Sequence, residues 1–270
     1  MTMKLSPDDM KKIAAIEAVK QVEDGMVIGL GTGSTANFMI VELGRRIRED
    51  GLKIQSAVAT SKATAERARE QKIPLAELNS VFTDPDYLKS IDDEYRQPID
   101  ITFDGADEVY WGEEFNDIDL IKGMGGALLQ EKIVASASQK LVIMADNSKL
   151  VTRIGERSPL PIEVLPFARE WVYWQVLTMT GELRAELGIK ISTPQQRMVA
   201  GKPFITDHGN VIFDLDLNEI EDLDLMVFDT MLHNLPGVVS TGLFLGMAHQ
   251  VILVNPEGEI QLLESDYEFE

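Results

Sequence analysis

Residues 104–109 read D-G-A-D-E-V, and residues 122–132 read K-G-M-G-G-A-L-L-Q-E-K. The lead-in at 99–103, I-D-I-T-F, is apolar and β-branched and predicts a buried strand that stops at Asp104. Gly105 then lets the chain turn sharply. Open α/β sheets hold ligands outside the carboxyl ends of their strands, so Asp104 and Asp107 are candidate site acids. The second motif sets Lys122 and a glycine-rich turn before an amphipathic helix over 127–139 that carries Glu131. Taken singly, an Asp-Gly pair is an ordinary turn former and Glu131-Lys132 an ordinary solvated helix face. Acids, a cation and free backbone amides within one short span favour a site.

Working toward the N-terminus, residues 26–30 predict a short apolar strand and 37–46 a helix. Between them runs G-L-G-T-G-S-T-A at 29–36. Strand, glycine-rich turn and helix form a phosphate-binding arrangement, because glycines admit backbone amides and a helix N-terminus favours an anion. The same text fits G-x-G-x-x-A, but the second strand, 53–58, ends in Ala59, Thr60 and Ser61 without the acid a ribose would need. No G-x-x-x-x-G-K-[ST] loop is present either. A phosphate monoester on a small molecule fits better than a dinucleotide or a nucleoside triphosphate.

The rest of the chain places these motifs. Ser6 followed by Pro7 starts a helix over 7–22. A helix over 61–71 follows the second strand. Residues 81–98 are polar and irregular, and 110–116 form another polar connection. Strand 141–144 ends in A-D-N-S-K at 145–149, which makes Lys149 a candidate ligand. Polar groups thus stand at four strand ends: Thr32 to Thr35, Thr60 with Ser61, Asp104 to Asp107, and Asp146 to Lys149. The fold class expected is α/β, a doubly wound, mostly parallel Rossmann-like sheet with a smaller ferredoxin-like α+β domain. The second domain is read from strand 161–166, helix 168–187, strand 189–192, a hairpin pairing 203–206 with 211–215 around a turn at 207–210, helix 223–235 and strand 237–240. A helix at 243–249 and a strand at 251–254 would rejoin the first sheet, and 258–270 reads as an acidic tail. The expected division is 1–158 with 241–270 as the Rossmann-like catalytic domain, and 159–240 as the ferredoxin-like domain. Leu243, Phe244 and Leu245 read as core packing, with an interface as the alternative.

Composition narrows the chemistry. The chain has no cysteine, so disulfides, thiolate metal sites and thiol nucleophiles are excluded. His208, His233 and His249 lack metal-ligand spacing, and no G-x-S-x-G elbow is present. The formal net charge of -20 repels nucleic acid and anionic membranes. No apolar run approaches the roughly 20 residues of a membrane span, and residues 1–12 are polar without a signal core. A cytoplasmic protein is expected.

These stretches carry a resemblance. Residues 29–36, 104–109, 122–135, 145–149, 162–168, 206–210 and 237–244 resemble, in order, the type A ribose-5-phosphate isomerase family. The resemblance implies reversible interconversion of D-ribose 5-phosphate and D-ribulose 5-phosphate, in the non-oxidative branch of the pentose phosphate pathway, without metal or organic cofactor. It implies that Thr32, Gly33, Ser34 and Thr35 bind the phosphate, helped by Lys11 and Lys149. Asp104, Gly105, Ala106 and Asp107, with Lys122, Gly123, Met124 and Gly125, would line the sugar. Glu131, nine residues after Lys122, would be the catalytic base, with Asp104, Asp107 and Lys122 assisting. Chemistry agrees: one carboxylate moves a proton between C2 and C1 of an enediolate, and a cation with nearby amides holds the developing oxyanion. Met124 departs from the family's K-G-G-G, and a positive φ there would strain the backbone. The expected partners are the small sugar-phosphate substrate and further copies of the chain, in a homodimer or homotetramer. Two other readings compete. One is a sugar-phosphate sensor domain, although the chain before Met26 is short for a helix-turn-helix. The other is a coenzyme A transferase-like enzyme with a nucleophilic glutamate.

Overall fold

The computed structural model of the chain describes residues 4–90, 97–112, 116–187, 192–217 and 223–266. Contacts divide the chain into two compact units, 1–105 with 130–149 and 247–270, and 106–129 with 150–246.

The first unit is built on a six-stranded sheet in the order Ile260–Glu264, Gln250–Val254, Leu141–Asp146, Ile101–Asp104, Val27–Leu30, Ser56–Ala59. All neighbours are parallel except Ile260–Glu264, which runs antiparallel at one edge. The strand Val27–Leu30 is buried throughout, as a parallel strand covered on both faces should be. Ile28 and Leu30 pack into a core with Ala14, Ala18, Met39 and Leu43 from the helices Pro7–Val19 and Ser34–Arg45. On the opposite face, Val27 packs with Val58, Ile99, Val134 and Ala137. The sheet is therefore wound on both sides. Ser6 caps the first helix as its sequence predicts, with a reciprocal Ser6–Asp9 capping box and Pro7 in the first turn.

The second unit holds two four-stranded sheets. One has the order Val238–Thr241, Leu160–Val164, Val211–Leu215, Gln195–Gln196, all antiparallel. With the helices Arg169–Leu187 and Leu225–His233 it makes the β-α-β-β-α-β unit, whose core joins Leu160, Ile162, Val164 and Phe213 to Val172, Val176, Phe228 and Leu232. The other sheet has the order Leu243–Leu245, Asp117–Ile121, Glu108–Gly112, Leu150–Val151. Among the described residues, no helix is long and apolar enough to cross a membrane.

Four local expectations are corrected. Residues 243–249 are not a helix: Leu243–Leu245 is a strand on Asp117–Ile121, because Gly242 and Gly246 leave only three residues between them. The connection at 110–116 contains the strand Glu108–Gly112, paired antiparallel with Asp117–Ile121. Its Val-Tyr-Trp run prefers a pleated surface to a loop. The tail supplies the edge strand Ile260–Glu264, inserting Leu263 into the core. The segment 203–206 does not pair with 211–215. The tight hairpin instead joins Met198–Val199 to Lys202–Pro203 through Ala200 and Gly201, both at positive φ. Residues 207–210 remain a turn, closed by the Thr206 amide on the Asn210 carbonyl at 2.9 Å. Most of the expected strand at 189–192 lies outside the described residues.

Candidate active site

The first unit gathers polar groups along the carboxyl edge of its parallel sheet. Adjacent strands there end at Asp146, Asp104, Leu30 and Ala59. The Leu30 end continues into the glycine loop. Gly31 is required because Asp104 lies directly against it: a Cβ on Gly31 would stand 2.1 Å from Asp104 Oδ1 and 2.6 Å from its Cα. Asp104 is buried, and its Oδ1 accepts the amides of Thr32 at 3.1 Å and Gly105 at 2.8 Å. The first acid of D-G-A-D thus holds the start of the glycine loop. Gly33, at φ +116°, ends the loop, and the helix begins at Ser34. Asn37 closes the first turn on the Gly33 carbonyl. The Ser34 and Thr35 amides, ahead of that bond, have no partner among the described residues. That leaves donors and the positive helix end open to an anion. Ser34 is exposed and Thr35 buried.

Thr32 takes a part its sequence did not suggest. Its hydroxyl lies 2.7 Å from Thr60 Oγ1, 2.9 Å from Ser61 Oγ and 3.0 Å from Thr64 Oγ1. Thr60 and Thr64 in turn donate to the Leu30 and Gly31 carbonyls. This buried hydroxyl cluster fixes the loop to the neighbouring strand end.

Glu131 is buried, at 4% exposure, in the first turn of the helix Leu128–Ser136. Its neighbour Gln130 donates from Nε2 to the Ala59 carbonyl at 3.0 Å, tying that turn to the same sheet edge. Lys149 follows the strand Leu141–Asp146 in a short turn that Asp146 holds through the Ser148 amide. Lys11, on the helix that packs against Ser34–Arg45, is mostly buried and lies 3.4 Å from Asp8.

The second unit carries the remaining residues. The Asp107 amide donates to the Ile121 carbonyl, and its Oδ2 accepts the Met124 amide at 3.0 Å. The two motifs are therefore bonded to each other here. Lys122 is buried, its amide bonds the Gly242 carbonyl at 3.0 Å, and its ammonium sits 5.6 Å from the Phe244 ring centroid. Gly123 and Gly126 take positive φ, and the Gly126 amide closes the turn on the Gly123 carbonyl. Met124 does not: it lies outside the positive-φ residues, so the strain anticipated from a methionine in this loop is absent. Ala106 is half-buried and Gly125 exposed.

Two residues of these surroundings escaped the sequence reading. Glu108 is fully buried and accepts the backbone amides of Gly155, Arg157 and Ser158 at 2.7, 2.5 and 2.5 Å. It staples a loop. Arg197 reaches from the Gln195–Gln196 end to the carbonyls of Gly123 and Met124. Neither stood out in the sequence, because each partner lies dozens of positions away. Of the histidines, His249 accepts the Leu141 amide on Nδ1 and joins two strands of the first sheet.

Residues 56–258 match the family model described as ribose 5-phosphate isomerase A (phosphoriboisomerase A). A ribose-5-phosphate isomerase A from Ruegeria sp. (strain TM1040) is 43% identical over 97% of this chain and 90% of its own. The solved ribose 5-phosphate isomerase A of Methanocaldococcus jannaschii superposes with a TM-score of 0.78 at 38% identity, covering 96% of this chain and all of that one. A D-ribose-5-phosphate isomerase solved in complex with phospho-erythronic acid superposes with a TM-score of 0.79 at 35% identity, again over 96% of this chain and 100% of the other. On this evidence the chain belongs to the ribose 5-phosphate isomerase A family.

Proposed function

We propose that this chain interconverts D-ribose 5-phosphate and D-ribulose 5-phosphate through an enediolate, with Glu131 as the base. The observation that carries the reading is family membership over nearly the whole chain. The glycine loop and Asp104 at one sheet edge, and the bond between Asp107 and the Met124 amide, support it. The open-chain aldose loses its C2 proton to Glu131 while negative charge gathers on O1. The same carboxyl returns the proton to C1, and the O2 proton passes to O1 as the ketone forms at C2. Lys122 and the loop amides stabilise the charge on oxygen, and Asp104 and Asp107 exchange protons with the sugar hydroxyls. The phosphate is assigned to the amides and hydroxyls of Gly33, Ser34 and Thr35, with Lys11 and Lys149 supplying charge and Thr32 holding the loop. We place the reaction in the cytoplasm, in keeping with relatives that are metabolic isomerases.

The test is ketose formation from ribose 5-phosphate in the presence of a chelator. The Glu131→Gln variant should bind substrate and lose about 100-fold or more in turnover. Turnover at the parent's rate in that variant removes Glu131 as the base. Binding without conversion by the parent protein makes it a sensor.

We also propose that the chain works as a homo-oligomer. The helices of the β-α-β-β-α-β unit expose apolar side chains: Phe167 is fully exposed, Trp171 and Trp174 are more than half exposed, and Leu165, Met226, Val227 and Met231 are exposed as well. Three such rings present on the order of 400 Å². With the aliphatic residues, the face approaches the roughly 800 Å² per partner of a standard interface. A chain carrying -20 repels its own copies elsewhere, so the helices richest in exposed apolar side chains are where a second copy fits.

A further inference from the structure

We infer that Arg197 is a positioning residue for the isomerisation: its guanidinium turns two peptides of the 122–126 loop so that their amides face the reaction. The inference rests on the reading above, in which this loop stabilises the oxyanion.

A guanidinium has five N–H donors in a rigid plane. All five of Arg197 are committed. Nε donates to Asp214 Oδ2 at 2.9 Å and Nη2 to Asp214 Oδ1, a bidentate pair. Nη1 donates to the Gly123 carbonyl at 2.8 Å and to the Met124 carbonyl at 3.0 Å. The second Nη2 hydrogen meets Met124 Sδ at 3.7 Å. The side chain is 10% exposed and that of Asp214 is 19%. The backbone is fixed as well, by the Arg197 amide on the Ile212 carbonyl and the Phe204 amide on the Arg197 carbonyl. Phe204 lies beneath the guanidinium and fills the space a Cβ on Gly126 would take. Arg197 therefore has no donor left for a substrate, and its action is on the loop.

The consequence follows from peptide geometry. In a trans peptide the C=O and the next N–H point in opposite directions. Drawing the Gly123 carbonyl to Arg197 turns the Met124 amide away from it, and that amide holds Asp107 at 3.0 Å. Drawing in the Met124 carbonyl likewise turns out the Gly125 amide. Gly125 is exposed, and its amide has no partner among the described residues. One guanidinium thus orients a donor onto a catalytic carboxylate and a second donor into the open, where an oxyanion can take it. Asp214 holds the guanidinium square to both carbonyls and neutralises it. A lysine would keep the charge but could not span two carbonyls and a carboxylate at once.

The experiment compares Arg197→Lys, Arg197→Met and Asp214→Asn with the parent, measuring ketose formation from ribose 5-phosphate, thermal melting and the folded fraction. Losing one preorganised donor, or displacing it by an ångström, costs on the order of 100-fold in rate. Arg197→Lys and Arg197→Met should lose about that much in kcat per folded molecule, with KM near the parent's. Asp214→Asn should show a smaller loss of the same kind. Parent-level kcat in folded Arg197→Lys, a change confined to KM, or a loss that only tracks unfolding overturns the inference. Lys122→Met separates the two layers. If it is inactive while Arg197→Lys is not, only the Arg197 inference falls. If it too turns over normally, the loop has no part in the reaction.

Discussion

Glu108 follows Asp107 directly, yet the two carboxylates meet different surroundings. Asp107 is half-buried and takes one loop amide, while Glu108 is sealed from solvent with three backbone amides on its oxygens. Replacing it with glutamine sets an NH₂ against at least one of those donors. Glu108→Gln should lower stability by about 2–3 kcal/mol in urea unfolding while kcat per folded molecule holds. A midpoint equal to the parent's would refute the staple. Asp119 is the opposite case. Burial, with the charge of Asp117 adding to it and the Gly246 amide opposing it, pushes its carboxyl up to about 6. A raised folded pKa stabilises below the unfolded value near 3.8, and that contribution is lost as pH rises through 6. Above pH 6 the fold carries a buried charge that asparagine would not. Asp119→Asn should therefore stabilise by about 1–3 kcal/mol at pH 7 and by almost nothing at pH 4. Equal gains at both pH values would contradict this.

Among the elements, the close approach of the first loop to the Ile101–Asp104 strand sets the sharpest constraint. A methyl group at Gly31 meets the Asp104 backbone as well as its carboxylate, so the neighbour cannot simply rotate away. Gly31→Ala should shift Asp104 and cost turnover on the order of 100-fold, whereas Gly25→Ala, with open space around its Cβ, should affect only stability. Equal activity in the two variants would show that the Asp104 position is not demanding. Such contacts also explain how far the sequence could be read. The strands into Asp104 and Asp146 were legible because fully buried parallel strands are unbroken apolar runs. The motifs were legible because glycines and acids cluster at strand ends. Residues 243–245 were not, since three apolar residues between glycines carry no period and only pairing with Asp117–Ile121 decides them. Arg197 and Glu108 were hidden for the same reason: their meaning lies in carbonyls and amides far along the chain, and any residue type supplies those.

At the scale of the molecule, charge and apolar surface act against each other. A chain with 45 acids and 25 basic residues repels its own copies at low ionic strength. Phe167, Trp171 and Trp174 nonetheless expose apolar area on the order of 400 Å², the surface on which a second copy is proposed to dock. The balance makes a prediction with two arms. Raising salt from about 10 mM to about 150 mM shortens the screening length from roughly 30 Å to 8 Å, so association should strengthen with salt if the contact is apolar and weaken if it is ionic. Introducing glutamates at Trp171 and Trp174 places charge in the centre of the face. In sedimentation, the parent should run as a multiple of the 30.1 kDa chain, and the double variant should fall to a single chain with its melting transition retained. A parent that sediments as one chain, or a double variant that keeps the parent's mass, would mean that the aromatic face serves something other than a second copy.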